Sequence, residues 1–352
     1  MRYRSLAPMG VVAVILAVVA LASPGIAGQS SAPAGGAAAK AWTLPRTADG
    51  QPDLQGVWAN NNATPLERPK QWADKLVLSD QELAELRKVA AQITANDGDA
   101  QFGDGLVLAA LEKITKPGSY DPGTGNYNQF WLVERDFEDR RTSLVIDPPD
   151  GRIPALTEEA VRRRDAAVEY GKLHPADGPE DRPLGERCVN FGVPKLGAGY
   201  NSYYQIFQSK THVVMLSEMA HDARIIPLDG RPHLSKEVRQ WNGDPRGRWE
   251  GDTLVVESTN FSPKSDFRGS RDRLDLVEKF TRVGPRILNY EITITDPTTW
   301  TKPWTVMIPL KQKNEAVYEY ACHEGNEGMF GTLSGHRAHE REAAQRTTTT
   351  SK

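Results

Sequence analysis

The sequence lacks the short motifs that identify several large classes of enzyme. It has no G-x-S-x-G elbow, no glycine-rich phosphate loop before a helix, and no C-x-x-C-H site for haem attachment. The first absence argues against an α/β-hydrolase, the second against a P-loop nucleotide-binding protein and the third against a c-type cytochrome. We therefore predict no cofactor.

An excess of basic residues is also lacking. The 352 residues carry 43 Lys and Arg against 46 Asp and Glu, which gives a formal net charge of −3. A nucleic-acid partner requires a basic face, so the sequence predicts none. We expect a small molecule as ligand or substrate, and the oligomeric state stays open.

A single long hydrophobic run is present, at the N-terminus. Arg2 and Arg4 precede an apolar run over residues 11–22, and small residues follow it. This layout is typical of a secretory signal peptide, and the run is shorter than the ~20 apolar residues of a membrane span. We predict a signal peptide over residues 1–28, a flexible linker over 29–41 and no membrane span after cleavage. An uncleaved N-terminal anchor is the alternative to a secreted or periplasmic protein.

Cysteine is scarce, with two residues, Cys188 and Cys322. Export would place this even number in an oxidising compartment, which favours a disulfide. Two buried thiols are the alternative. A bridge would tie the middle of the chain to its last predicted strand.

Residues 42–199 predict a mixed α/β part with two helices. The segment "SDQELAELRKVAAQI" begins with Ser79 and Glu82 at the spacing of a capping box, and Thr157 caps "TEEAVRRRDAAVEYGKL". Strands are predicted around "GVW", in "NYNQFWLVERD" and in "RTSLVIDPPDGRIP". The polar C-terminal tail, residues 334–352, predicts a short helix at most, followed by disorder.

Residues 200–333 predict an antiparallel β-structure. Eight candidate strands follow one another with turn signals between them: "NSYYQIFQS", "THVVMLSEM", "ARIIPLD", "DTLVVESTNF", "LDLVEKFTRV", "RILNYEITITD", "WTVMIPLKQ" and "AVYEYACHE". Short strands at this spacing, with no helical pattern between them, indicate a barrel or a sandwich. The fold class is therefore mainly β, with an N-terminal helical elaboration.

Two Gly-X-Trp tripeptides, at Gly56 and at Gly247, resemble the signature of lipocalin-like barrels, in which the Trp closes one end. The resemblance implies a barrel that encloses one small ligand. Longer stretches, "HDARIIPLDGRPH", "GRWEGDTLVVE" and "YEYACHEGN", resemble a widespread family of secreted, largely uncharacterised bacterial proteins. That resemblance covers nearly the whole mature chain, and it implies a secreted context rather than a particular chemistry.

The stretch "SEMAHDAR" concentrates polar groups between two apolar strands. His221 titrates near neutral pH, and Asp222 or Glu218 is suitable to orient it as a general acid or base. Arg224 is suitable to hold an anionic group of a substrate. The alternative is ordinary hairpin chemistry, in which the acid caps its own turn and the arginine forms an ion pair.

Further candidates lie nearer the C-terminus and among the aromatic residues. His323 ends the last predicted strand and is the predicted second proton carrier. Tyr204, Trp241 and Tyr320 are the predicted walls of a binding pocket, and Arg187 adjoins a predicted disulfide cysteine.

These candidates favour an enzyme that uses general acid–base chemistry, as a lyase, an isomerase or a hydrolase. One alternative is a periplasmic binding protein without turnover. The other is a metal-dependent hydrolase with His221, His233 and His323 as ligands, although their spacing matches no short metal motif, so no metal is the first prediction.

Overall fold

The computed structural model describes residues 42–95, 99–118, 132, 135–137 and 139–350. The predicted signal peptide and linker lie outside the described residues, as does most of the strand predicted in "NYNQFWLVERD". Residues 42–352 belong to one compact unit.

Ten β-strands and four α-helices are present in these described ranges. The strands are β1 (Gly56–Ala59), β2 (Val145–Asp147), β3 (Tyr203–Gln208), β4 (His212–Ser217), β5 (Asp222–Pro227), β6 (Asp244–Glu250), β7 (Thr253–Thr259), β8 (Asp275–Arg282), β9 (Ile287–Thr295) and β10 (Trp304–Lys313). The helices are α1 (Asp80–Thr94), α2 (Gly105–Leu111), α3 (Glu158–Leu173) and α4 (Glu327–Thr350). None of these helices is long and apolar enough to cross a membrane.

Nine strands form a nearly closed antiparallel barrel in the order β5-β4-β3-β1-β10-β9-β8-β7-β6, and β2 pairs with β10 outside this path. The predicted fold class is thereby confirmed. Because each strand runs opposite to its neighbour and their number is odd, β5 and β6 run in the same direction where the barrel closes. Gly247 of β6 permits this closure, since a Cβ there would lie 2.7 Å from Leu228 and 2.8 Å from Ile226.

Seven of the eight strands predicted in the second half are confirmed, as β3, β4, β5 and β7 to β10. The eighth, "AVYEYACHE", is wrong: residues 316–321 belong to no strand and residues 322–325 form a turn. The sequence did not predict β6, because Pro245, Gly247 and its charged residues are features of an edge strand rather than of an alternating one.

Side-chain alternation fills the barrel lumen. Leu288, Ile292 and Ile294 of β9 are fully buried. Trp58 of β1 is also fully buried, and its indole N–H donates to the Leu54 carbonyl at 2.8 Å. The guanidinium of Arg282, at the end of β8, lies 5.3 Å from the centre of the Trp58 ring, which is close enough for a cation–π interaction.

The N-terminal part contributes to the barrel, because β1 pairs with β3 on one side and β10 on the other. The predicted helices α1 and α3 are confirmed, and α1 begins with the predicted capping box of Ser79 and Glu82. The sequence did not predict α2, which packs with α1 in a separate small core. The C-terminal tail differs from its prediction, because α4 already begins at Glu327 and continues to Thr350.

Candidate functional site

The two ends of the barrel differ. Antiparallel pairing brings the start of β3, the end of β4 and the start of β5 together. The backbone of Trp58 pairs with Tyr204, but its indole reaches Leu54 and Arg282, toward the other end of the barrel, where β3 and β8 end and β4 begins. We call the end with Leu54 and Arg282, which the Trp58 indole reaches, the closed end. We call the end marked by Tyr204, Ser217 and Asp222 the open end, and the candidate site lies there.

A buried ion pair forms the floor of the open end. Arg224 of β5 donates to both carboxylate oxygens of Glu278 of β8, at 2.9 and 2.5 Å, and to the Ser258 hydroxyl at 3.1 Å. The Tyr290 hydroxyl donates to Glu278 at 2.5 Å. Burial opposes the charge of Arg224, but the contact with Glu278 still raises its pKa. The Arg224 guanidinium is satisfied in this network except at one atom: its Nε is buried without a partner among the described residues.

A cavity lies above this floor. Its lining includes apolar side chains and several polar ones: Phe191, Val193, Pro194, Lys195, Tyr204, Met215, Ser217, Met219, Asp222, Arg224, Asn242 and Tyr290. The space among them is about 490 Å³ if open solvent at the mouth is included, but only about 30 Å³ admits the centre of a water molecule. An organic ligand requires ~300 Å³ or more, so the cavity is nearly shut in this state.

Residues 191–195, here called the cover segment, shut the cavity. The disulfide Cys188–Cys322, with a Cα–Cα distance of 5.7 Å, confirms the predicted bridge and joins the start of this region to the C-terminal segment. Tyr320 packs edge-on against Phe191, with ring centres 5.7 Å apart. The disulfide and this aromatic contact therefore hold the cover segment over the open end.

Lys195 is the cation that the cover segment brings to the cavity. Burial lowers its pKa to about 8, and the nearby Glu218 carboxylate partly opposes that decrease. The Lys195 ammonium donates to the Asn201 carbonyl at 3.4 Å. Glu218 is itself only 2 % exposed; one oxygen accepts from the Tyr318 N–H at 3.2 Å, and the other is buried without a partner among the described residues.

Asp222 lies at the mouth of the cavity and is engaged by amides. One of its oxygens accepts from Asn190 at 2.9 Å and from Asn242 at 2.5 Å, and Asn190 also donates to Asn242 at 3.0 Å. These three residues come from the region before β3, the start of β5 and the segment before β6. They form a preorganised polar rim.

The structure brings together part of the predicted site. Tyr204, Asp222 and Arg224 line the cavity, Glu218 lies beside Lys195, and Tyr320 supports the cover segment. Arg224 forms an ion pair with Glu278, as the alternative interpretation predicted, and its guanidinium is therefore not free.

The other predicted residues lie outside the cavity lining. His221 and His323 are exposed, and Trp241 is 38 % exposed. Arg187 forms a two-bond ion pair with Glu180, at 3.0 and 2.9 Å. The catalytic roles predicted for the two histidines stay predictions.

Two residues in the hairpin between β4 and β5 have an unusual backbone. Ala220 has a φ of 63° and His221 a φ of 56°. The left-handed region disfavours residues with a Cβ, so this bend stores strain next to the site.

The alternative metal site is not assembled. The His233 Nδ1 lies 3.1 Å from the buried Asp244 carboxylate, which also accepts from Arg246 at 2.6 Å. In the part of the chain that the structure describes, no group of donor atoms close enough to share an ion includes His221, His233 or His323.

Sequence reasoning missed Lys195, Glu278, Asn190 and Asn242. Glu278 in "DLVEKF" does carry a signal, because it occupies an inward position of an alternating strand, where a carboxylate requires a buried partner. Asn190 and Asn242 lie in loops, and these loops come together only because the barrel closes.

No family model matches the chain, no curated protein is significantly similar to it, and no solved structure matches it.

Proposed function

We propose that this protein binds a small, partly apolar organic molecule with an anionic or hydrogen-bond-accepting group at the open end of its barrel. One observation carries the proposal: the apolar walls of the cavity are combined with Lys195 and with Arg224, whose Nε has no partner in the described part of the chain. A buried donor without a partner costs about 1–3 kcal/mol, and a ligand oxygen would recover that free energy. The ring of the ligand would pack against Phe191, Met215 and Met219.

Ligand entry requires the cover segment to move, because the closed cavity is too small for an organic molecule. The disulfide attaches the start of this region to the C-terminal segment, so residues 191–195 would pivot about that attachment instead of detaching from the barrel. Gly192, with a φ of 79°, supplies a position where the backbone is free of Cβ constraints. Binding would therefore be slower than free diffusion allows.

Ser217 provides a direct test, because it faces the cavity at the end of β4. Small aromatic carboxylates such as benzoate and 2-naphthoate would be titrated while ligand signals are followed by saturation-transfer NMR. We expect Ser217→Trp to fill the cavity and abolish binding. Leu216→Trp is the matched control, since the neighbouring side chain points outward, and it should bind like the wild type. Equal binding by both variants would place the ligand elsewhere and refute the proposal.

A second candidate function is proton transfer to or from the bound molecule, with Lys195 as the proton carrier. A lysine whose pKa lies at about 8 exists partly as the neutral amine near physiological pH, as a general base must. This version keeps the predicted acid–base chemistry but moves its centre from the exposed His221 and His323 to the cavity. If a substrate that the protein turns over is found, Lys195→Met should abolish turnover but retain binding of the aromatic ligand. Loss of activity in His221→Ala would instead favour His221 as the general acid or base.

We further propose that the protein acts outside the cytoplasm. The disulfide, the N-terminal basic–apolar–small layout and the resemblance to secreted bacterial proteins all support this location. Mass spectrometry of the protein from its native cells should find it in the periplasm or medium, with its N-terminus near residue 28 or 29. Recovery from the cytoplasm with reduced cysteines would contradict this proposal.

A further inference from the structure

A cluster of metal-ligating groups lies between α4 and the loop after α3, and none of its residues lines the cavity of the candidate site. Asp177 lies in that loop, and His336 and Glu340 are one turn apart on α4. One ligand atom from each of the three lies within 4.8 Å of the others. The His336 Nε2 is 3.2 Å from Asp177 Oδ1 and 3.5 Å from Glu340 Oε1, so one imidazole nitrogen faces two carboxylate oxygens.

These distances are close to the separations between the ligand atoms of a metal site. Ligand atoms about 2.0–2.2 Å from a tetrahedral zinc ion lie roughly 3.3 Å from one another. The two measured separations are close to that value, so an ion could enter with small side-chain movements. A metal ion binds an imidazole nitrogen through its lone pair, so Nε2 would carry no proton in the metal-bound state.

The residues around the cluster hold it in position. The His174 Nδ1 lies 2.6 Å from the second oxygen of Asp177, and the ring of His174 stacks on Tyr170 at 4.5 Å. Carboxylates that ligate a metal are commonly held in place by a hydrogen bond from a further residue, as His174 would hold Asp177. Arg337 also anchors α4, because it donates to the Ala176 carbonyl at 3.2 Å.

Arg337 would compete with a metal ion for the carboxylates of Asp177 and Glu340. Its guanidinium lies 2.9 Å from Glu340 and 3.9 Å from Asp177, so it neutralises both carboxylates in part. A divalent ion carries twice its charge and bonds to the imidazole, which an arginine cannot do. The guanidinium approaches the same oxygens, Asp177 Oδ1 and Glu340 Oε1, that face His336, so it would have to move to the second oxygen of Glu340 when the ion binds the first.

We propose that Asp177, His336 and Glu340 bind a zinc ion that fastens α4 to the loop after α3. One imidazole and two carboxylates form a mixed nitrogen and oxygen set, which suits zinc better than calcium or magnesium. The fourth position is open to water. The exposure of Asp177 and Glu340, at 45 % and 48 % of their side chains, makes the site accessible to exogenous metal.

Calorimetric titration of the tag-free protein with Zn²⁺ alone tests this proposal. The wild type should bind one equivalent, and His336→Ala should reduce the affinity by roughly tenfold or more. His339→Ala is the matched control, because this exposed histidine is on the same helix, and it should bind like the wild type. Asp177→Asn provides an independent loss of one ligand. All variants would first be compared with the wild type by circular dichroism.

Amide hydrogen exchange provides a second measurement, because it tests whether zinc attaches α4 to the loop after α3. Zn²⁺ should slow amide hydrogen exchange in α4 and in residues 174–177 of the wild type, but not of His336→Ala. Unchanged zinc affinity in both His336→Ala and Asp177→Asn would overturn the proposal. So would the absence of zinc binding by the wild type.

Discussion

The closed and open ends of the barrel are built by opposite means. At the closed end, Trp58 fills the lumen, Arg282 covers its ring, and short turns such as residues 209–211 and 251–252 connect the strands. At the open end, charged and polar side chains occupy the lumen, and a disulfide-bound segment covers them. The comparison predicts that the closed end contributes more to stability, while the open end keeps the Arg224 Nε and one Glu218 oxygen without a partner among the described residues.

The largest effect on the comparison is expected from Trp58→Ala. Removing this fully buried side chain should lower the free energy of unfolding by about 3–5 kcal/mol, because a cavity replaces the indole and its bond to Leu54. Urea denaturation measures it. Trp241→Ala at the open end is the control and should cost clearly less, because 38 % of this residue is exposed. Similar losses in both variants would mean that the closed end is not the stable one.

The disulfide should matter mainly at the open end. Replacing Cys188 and Cys322 together by serine should cost about 2–4 kcal/mol, because the unfolded chain loses a cross-link between distant positions. Urea denaturation without reductant gives the total loss. Hydrogen exchange should locate the loosening in residues 187–195 and 316–325. Loosening of the closed-end turns instead would contradict the division into two ends.

Lys195 gives the open end a pH dependence. The unfolded lysine titrates near its ordinary pKa of 10.5 and the folded one at about 8, so the unfolded chain binds more protons between these values. Stability should therefore rise by about 1–2 kcal/mol from pH 8 to pH 10 because of this residue. Lys195→Met should remove that rise, and it should be at least as stable as the wild type at pH 7. Lys210→Met, in a closed-end turn, should retain the rise; identical slopes in the two variants would exclude this effect.

The smallest effect is expected at the strained hairpin. His221→Gly should stabilise the protein by about 0.5–1 kcal/mol, because glycine adopts the observed φ of 56° without a Cβ clash. Thermal denaturation measures the change, with His323→Gly as control. If His221→Gly loses stability, its imidazole makes a contact that offsets the strain.

The regular walls of the barrel could be predicted from the sequence, whereas the open end could not. In β9 every second residue is apolar, and this period alone identifies the strand and its buried face. Arg224 and Glu278 are 54 residues apart, and they meet only because the barrel closes. His221 lies in the same polar stretch as Arg224, but it is exposed at the hairpin and outside the cavity lining, so its catalytic role stays a prediction.

"AVYEYACHE" shows the limit of alternation as a signal. Tyr318 and Tyr320 alternate with polar residues as in a strand, yet they belong to no strand. The segment is fixed by its disulfide and by the contact of Tyr318 with Glu218, neither of which has a local sequence pattern.

Hydrogen exchange of the wild type with and without saturating 2-naphthoate tests the central claim, that the open end holds a ligand site beneath residues 191–195. We predict that the ligand slows exchange in residues 191–195 and at Met219, and leaves the closed-end turn at residues 209–211 unchanged. Slower exchange at the closed end, with none at the cover segment, would contradict this account.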